Sequence, residues 1–254
     1  MKPKIAIVWF PGTNCENETK VACDAAGMDA DIVRWNQRKI EKYNGFIFPG
    51  GWSYEDRIRA GVIASKDPIM GLIRKQGKAI LGICNGCQIL VEAGLIPGLK
   101  KRPEMALAPN VNPIVTGYYC TWTRVKNTGK KNAFNIFYSE NEIIEMPIAH
   151  GEGRFATKDA ALLRELEKNG QIAFRYCDKN GKEDGFPVNP NGSLSSIAGI
   201  TNKEGNILAM MPHPERAFFN KQLPGRKMKN FEDAMSFAKA AKIFESMREY
   251  IKND

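Results

Sequence analysis

The chain is 254 residues long, 43% hydrophobic and 26% charged, the balance of a globular protein and not of a disordered one. No apolar run approaches the roughly 18 residues of a membrane helix, and the one near the N-terminus, residues 5–10, is too short for a signal peptide, so a soluble, cytoplasmic protein is expected, built as a single domain over residues 1–254. The net charge of +9 suits plain solubility, or attraction to nucleic acid, a membrane surface or an acidic partner. Residues 4–10 form a short apolar run closed by Pro11-Gly12, which predicts a buried strand of a parallel sheet. Thr13 or Asn14 is placed to cap the next helix, with Val21, Ala22, Ala25 and Ala26 on its inner face and Gly27 at its end. Strands are predicted over 31–35 and 45–48, the latter closed by Pro49-Gly50-Gly51. A helical stretch over 55–76, broken near Pro68, precedes a strand over 78–84 and a helix over 85–93. From about residue 102 the pattern turns antiparallel: strands over 114–125 and 135–138, a helix over 157–168 and a strand over 171–177. A hairpin of 195–201 with 206–211 and a terminal helix over 231–251, packed on the sheet, complete the chain. The βαβ order of the first hundred residues predicts an α/β fold: a doubly wound, mostly parallel sheet flanked by helices, with a small antiparallel extension and sites at the strand C-terminal ends.

The six cysteines, Cys15, Cys23, Cys84, Cys87, Cys120 and Cys177, read as reduced thiols in such a chain. The strongest chemical signal is Gly82-Ile83-Cys84-Asn85-Gly86-Cys87-Gln88, at a strand-to-helix junction. A nucleophile on so sharp a turn is exposed at the sheet edge. Flanking glycines let the backbone turn and substrate approach, while the helix N-terminus favours thiolate and offers N–H groups to a developing oxyanion. The Cys84-x-x-Cys87 spacing also fits a redox pair, half of a zinc site, or a glycine-rich turn around an inert thiol; no second close pair of ligands exists for zinc. Met211-Pro212-His213-Pro214-Glu215-Arg216 ends another apolar run. There His213 is placed to serve Cys84 as base and acid, with Glu215 orienting its other nitrogen, against the plainer reading of a surface histidine in a proline-rich loop. Gly50-Gly51 is a turn that can also aim N–H groups inward. Backbone N–H groups of Gly51 and Asn85 are the candidate oxyanion donors. The chain has no Walker A loop, no Gly-x-Gly-x-x-Gly after the first strand and no Gly-x-Ser-x-Gly, so neither a nucleotide nor a dinucleotide cofactor nor a serine hydrolase is expected, and without a second ligand pair no metal is expected either.

Together, residues 82–88, His213-Pro214-Glu215 and Pro49-Gly50-Gly51 resemble the class I, or triad, glutamine amidotransferases, whose fold is flavodoxin-like. The segments Phe10-Pro11-Gly12-Thr13-Asn14-Cys15-Glu16, Gly50-Gly51-Trp52-Ser53-Tyr54-Glu55-Asp56 with Arg59-Ala60-Gly61, and Ile148-Ala149-His150-Gly151-Glu152-Gly153-Arg154-Phe155 are similar to the glutaminase subunits of phosphoribosylformylglycinamidine synthases, and the likeness spans nearly the whole chain. The resemblance implies Cys84 as nucleophile, His213 and Glu215 as its partners, Gly50 and Gly51 as the oxyanion turn, and Gln88 in substrate positioning. His150 lies in a typical segment, but the His-x-Glu spacing favours His213, and His150 is read as structural or partner-facing. The implied activity is hydrolysis of L-glutamine to glutamate and ammonia. The implied partners are a synthetase subunit, which carries ATP and Mg and makes formylglycinamidine ribonucleotide from formylglycinamide ribonucleotide, and a small accessory subunit. The competing classes are another cysteine enzyme on a related α/β scaffold, such as a peptidase or hydratase, a basic nucleic-acid-binding module, for which residues 123–131 offer only a lysine-rich loop, and a redox protein with a reversible Cys84–Cys87 disulfide.

Overall fold

The structure, a computed structural model, describes residues 1–100 and 102–253. Strand β1 (Lys4–Trp9) lies between β2 (Asp29–Arg34) and β3 (Gly45–Phe48), and the sheet continues through β4 (Ala79–Ile83) to β11 (Ile207–Met210), all parallel. Residues Ile5–Val8, Phe46–Phe48 and Ile80–Ile83 are apolar or glycine and essentially without solvent contact. Helices cover both faces of these strands, so they read as unbroken apolar runs and not as alternations. Beyond β11 the same sheet turns antiparallel, in the order β10 (Ile197–Thr201), β9 (Ile172–Cys177), β6 (Tyr119–Asn127), β7 (Ile143–His150). A separate antiparallel pair joins β5 (Ala106–Ala108) to β8 (Arg154–Ala156). No helix among the described residues is long and apolar enough to cross a membrane.

Helix α1 (Glu16–Ala25) starts without a side-chain cap. Thr13 Oγ1 accepts the Phe10 N–H and Asn14 Oδ1 accepts the Cys15 thiol, so both expected caps are used in the loop instead. The helix buries Thr19, Ala22 and Cys23, Ala26 is buried at its end and Ala25 packs against the core, so of the predicted inner positions only Val21, 54% exposed, faces outward. The stretch 55–76 is not one broken helix. Tyr54, Glu55 and Asp56 have positive φ in a 3-10 turn, Gly61 is left-handed, and only α2 (Val62–Ser65) and α3 (Pro68–Gln76) are α-helical. Asp67 caps α3 at the Ile69 N–H, Pro68 takes its first position, and Gly77 ends it at φ 65°, the expected chemistry of both ends. Helix α4 (Asn85–Glu92) follows Cys84 directly.

Two predicted strands fall elsewhere. Residues 135–138 form turns, because Asn135 Oδ1 accepts the Asn132 N–H and Asn132 Oδ1 accepts the Phe134 N–H. Such side-chain bonds compete with a ladder, and the strand forms at β7 instead. Residues 114–118 are also outside β6, since Asn112 Oδ1 takes the N–H groups of Ile114 and Val115. Helix α5 (Ala160–Asn169) is capped by Asp159 and closed by Gly170. The predicted terminal helix is two, α6 (Phe231–Met235) and α7 (Lys242–Asn253). The chain between them bends so that Phe237 joins Phe218, Phe219 and Phe244 in an aromatic cluster. Helix α7 buries Ile243, Phe244 and Met247 toward the sheet, where Met247 lies against Gly45 of β3.

Candidate active site

Four neighbouring parallel strands, β1, β3, β4 and β11, end side by side, and each is followed by one part of the site. Cys15 follows β1, Gly50 and Gly51 follow β3, Cys84 follows β4 and His213 follows β11. Cys84 has φ 52° and ψ −105°, a conformation that a side-chain-bearing residue adopts only under strong constraint. The constraint is the tight meeting of β4, α4 and β3. A Cβ on Gly86 would lie 1.9 Å from the Phe48 carbonyl oxygen, and one on Gly82 would lie 2.5 Å from Leu90 and 2.7 Å from the Gly86 carbonyl oxygen. These two glycines let the helix start against the sheet, and the turn raises the Cys84 side chain at its edge.

His213 is 2% exposed and Glu215 1% exposed, and His213 Nδ1 is 2.6 Å from Glu215 Oε1. Burial alone would push the imidazolium down, but the Glu215 carboxylate and the neighbouring Cys84 and Cys15 outweigh it and hold the His213 pKa well above the usual histidine value. His213 Nε2 makes no aligned hydrogen bond among the described residues, and the Cys84 thiol instead points toward the Ala149 carbonyl oxygen at 3.5 Å. The site depends on the missing side chain of residue 50: a Cβ there would lie 2.7 Å from His213 Cε1, 3.0 Å from Cys15 Sγ and 3.5 Å from Cys84 Cβ. Gly50 therefore provides room for the imidazole, and its carbonyl oxygen accepts the N–H groups of Asn14 and Cys15. The Gly51 N–H has no acceptor among the described residues, because Gly51 bridges Thr13 through flanking bonds from Asn14 to Gly50 and from Trp52 to Gly12. Asn85 begins α4, where an N–H has no acceptor within the helix.

The other predicted residues sit around one cavity of about 190 Å³, lined by Gly51, Trp52, Asp56, Cys84, Gln88 and Glu152 among others. Gln88 donates to the Glu152 carbonyl oxygen at 2.7 Å and accepts from Asn85 Nδ2 at 2.9 Å, so both ends of its amide are committed to shaping the wall. Asn85 Nδ2 also donates to Asp56 Oδ1 at 3.0 Å, and its Oδ1 accepts the Ser53 N–H. Trp52 and Tyr118, half exposed, stack at 5.9 Å between centroids and line the same cavity. His150 lines it too, 3% exposed. A larger open recess of about 1060 Å³ lies near the N-terminus and α7, but its lining includes neither cysteine nor histidine.

Sequence reasoning missed three parts of this site. Cys15 lies beside His213 and accepts from Arg216 Nη2 at 3.1 Å; burial pushes its thiol pKa up. Asp56 and Glu152 face the cavity that ends at Cys84. The signal was positional: all three lie in loops that follow strands or glycine turns, within segments whose resemblance had no role attached. Cys87, by contrast, is wholly buried, and burial and the nearby Cys84 hold its thiol pKa well above the usual value, which argues against a redox pair with Cys84. All six cysteines are free.

Residues 2–251 match the family model of the CobB/CobQ-like glutamine amidotransferase domain. The chain is 46% identical to the phosphoribosylformylglycinamidine synthase subunit PurQ of Methanothrix thermoacetophila, over 98% of both chains. It is 42% identical to that of Aquifex aeolicus, over 84% of this chain and 91% of the relative. Among solved structures, one chain of PurLQS from Thermotoga maritima superposes with a TM-score of 0.76 at 32% identity, covering 99% of this chain and all of that one.

Proposed function

The chain belongs to the CobB/CobQ-like glutamine amidotransferase family, and from that premise we infer that it is the glutaminase subunit of a phosphoribosylformylglycinamidine synthase, in purine biosynthesis. The observation that carries the chemistry is the buried His213–Glu215 pair, 2.6 Å apart, beside a cysteine held at a strand-to-helix elbow. The Cys84 thiolate attacks the side-chain amide carbon of glutamine. The oxygen gains charge and is held by the N–H groups of Gly51 and Asn85. The imidazolium of His213 gives its proton to the nitrogen, the C–N bond breaks and ammonia leaves. A glutamyl thioester remains on Cys84. His213 then takes a proton from water, the hydroxide displaces the thiolate, and glutamate departs. Glu215 keeps the proton-bearing Nδ1 oriented and stabilises the imidazolium throughout.

Ammonia passes to a separate synthetase subunit, which holds ATP and Mg and converts formylglycinamide ribonucleotide to its amidine; a small accessory subunit completes the complex, and the assembly works in the cytoplasm. The test is labelling with the glutamine-analogue electrophile diazo-oxo-norleucine, read by intact mass. One adduct on Cys84, blocked by glutamine, is the expected result. Absence of labelling both alone and with the synthetase subunit overturns the reading and favours another cysteine enzyme.

A further inference from the structure

The cavity that Cys84 lines also brings together three side chains that offer hydrogen-bond acceptors, Asp56, His150 and Glu152. Asp56 Oδ1 accepts from Asn85 and Glu152 Oε2 accepts the Ala60 N–H at 3.3 Å, while Asp56 Oδ2 and Glu152 Oε1 accept no hydrogen bond among the described residues. Neither carboxylate forms an ion pair among the described residues; the nearby Arg59, whose charge Glu152 stabilises, is itself paired with Glu92. The third acceptor is His150. The Asn110 side-chain nitrogen donates to the carbonyl oxygens of His150 and Gly117, and its Oδ1 accepts the Gly153 N–H. Asn110 Oδ1 therefore faces His150 Nδ1, 3.1 Å away, as an acceptor, so the ring proton sits on Nδ1 and Nε2 carries a lone pair. That Nε2 is buried and without a partner among the described residues, and His150 lines the same cavity.

We propose that Asp56 and Glu152, with the neutral imidazole of His150 beside them, receive the α-ammonium group of glutamine and make the enzyme demand an amino acid in place of a simple amide. This rests on the glutaminase reading above. An ammonium group carries three donors and no acceptor, the complement of these three acceptors. Glutamine's reacting amide carbon and its α-carbon are three bonds apart, so one cavity serves both ends of the molecule. Burial first, then the charge of the neighbouring Glu152, pushes the Asp56 carboxyl up to about 6; a bound cation relieves the second of these.

The test uses the chain in complex with its synthetase subunit. Hydrolysis of glutamine is compared with that of 5-amino-5-oxopentanoate, which has hydrogen in place of the α-amino group. In Asp56→Asn/Glu152→Gln the glutamine KM rises and the preference in kcat/KM for glutamine over the deamino amide falls by about tenfold or more, the size expected for hydrogen bonds to a charged group. The exposed Glu55, paired with Arg57, provides the control: Glu55→Gln keeps the wild-type preference. Thermal unfolding and alkylation of Cys84 by iodoacetamide report whether the double variant is folded; if it is not, the single variants carry the comparison with the same threshold. A smaller fall in folded protein overturns the receptor. A wild-type complex that hydrolyses neither compound overturns the glutaminase reading beneath it, so the two failures are distinct.

Discussion

Cys84 is held at φ 52° by its neighbours, and such backbone strain costs on the order of 1–3 kcal/mol. Among the described residues its thiol is the one cysteine that lines the 190 Å³ cavity: Cys84→Ala is expected to abolish glutaminase activity in the complex, and Cys87→Ala to keep most of it, because Cys87 is buried in the core and does not line that cavity. A dead Cys87→Ala with a live Cys84→Ala reverses the assignment. Gly50→Ala tests the packing of the triad. Its new methyl meets the His213 ring at 2.7 Å, so the imidazole must move, and a displacement near 1 Å at a catalytic group lowers kcat by about 100-fold. The melting temperature should change little, since the crowded atoms are side-chain ends. A normal kcat in Gly50→Ala would show that His213 does not occupy its catalytic position here. At this scale the strand-to-helix turn at Cys84 and the contact of His213 with Glu215 were legible, because each arrangement lies in a short local motif. Asp56 and Glu152 were not, because their partnership requires residues 96 positions apart in sequence to meet across a fold.

The elements position these residues through close backbone contact. Gly86 packs on the Phe48 carbonyl oxygen with no space for a methyl group, its Cβ position being 1.9 Å from that atom. Gly86→Ala therefore forces α4 away from β3, an overpacking expected to destabilise by about 3 kcal/mol and to move the Asn85 N–H proposed to hold the oxyanion. Urea unfolding is the measurement; a stability within experimental error of wild type would mean that α4 does not pack as described. The parallel strands were legible from the sequence because burial on both faces leaves unbroken apolar runs. The antiparallel half was read less well. Asparagines at 112, 132 and 135 draw backbone N–H groups into local turns, so apolar residues such as Phe134 and Tyr138 are buried without belonging to a strand. The terminal segment has the spacing of one helix because its apolar positions continue through Phe237, which serves the aromatic cluster and not a helix face.

At the scale of the whole molecule, the antiparallel arm completes a site begun by the parallel strands. The His213 N–H donates to the Pro147 carbonyl oxygen of β7, and the end of β7 delivers Ala149, His150 and Glu152 to the cavity. His150 links this closure to pH. Burial, and then the charge of His213, lowers its pKa to about 3, against about 6.5 in an unfolded chain. Between those values the unfolded state binds a proton that the folded state refuses, so stability falls as pH falls, by roughly a kcal/mol per pH unit. His213 acts in the opposite sense. Its pKa is raised, so its contribution is fully present below the unfolded value and disappears only as pH rises through the folded one. Asp56, pushed up to about 6, gains stability as pH falls from there toward the unfolded carboxylate value. His150→Gln keeps a donor for Asn110 Oδ1 but has no proton to refuse, and it leaves the groups of His213 and Asp56 in place. Denaturant unfolding of both proteins at pH 6.5, 5.5 and 4.5 should show any wild-type advantage over His150→Gln shrinking at each step. The carboxylates titrate in both proteins and largely cancel in the difference. A difference that stays constant over those two units would mean that His150 is protonated in the folded arm, and would remove the lone pair assigned to Nε2.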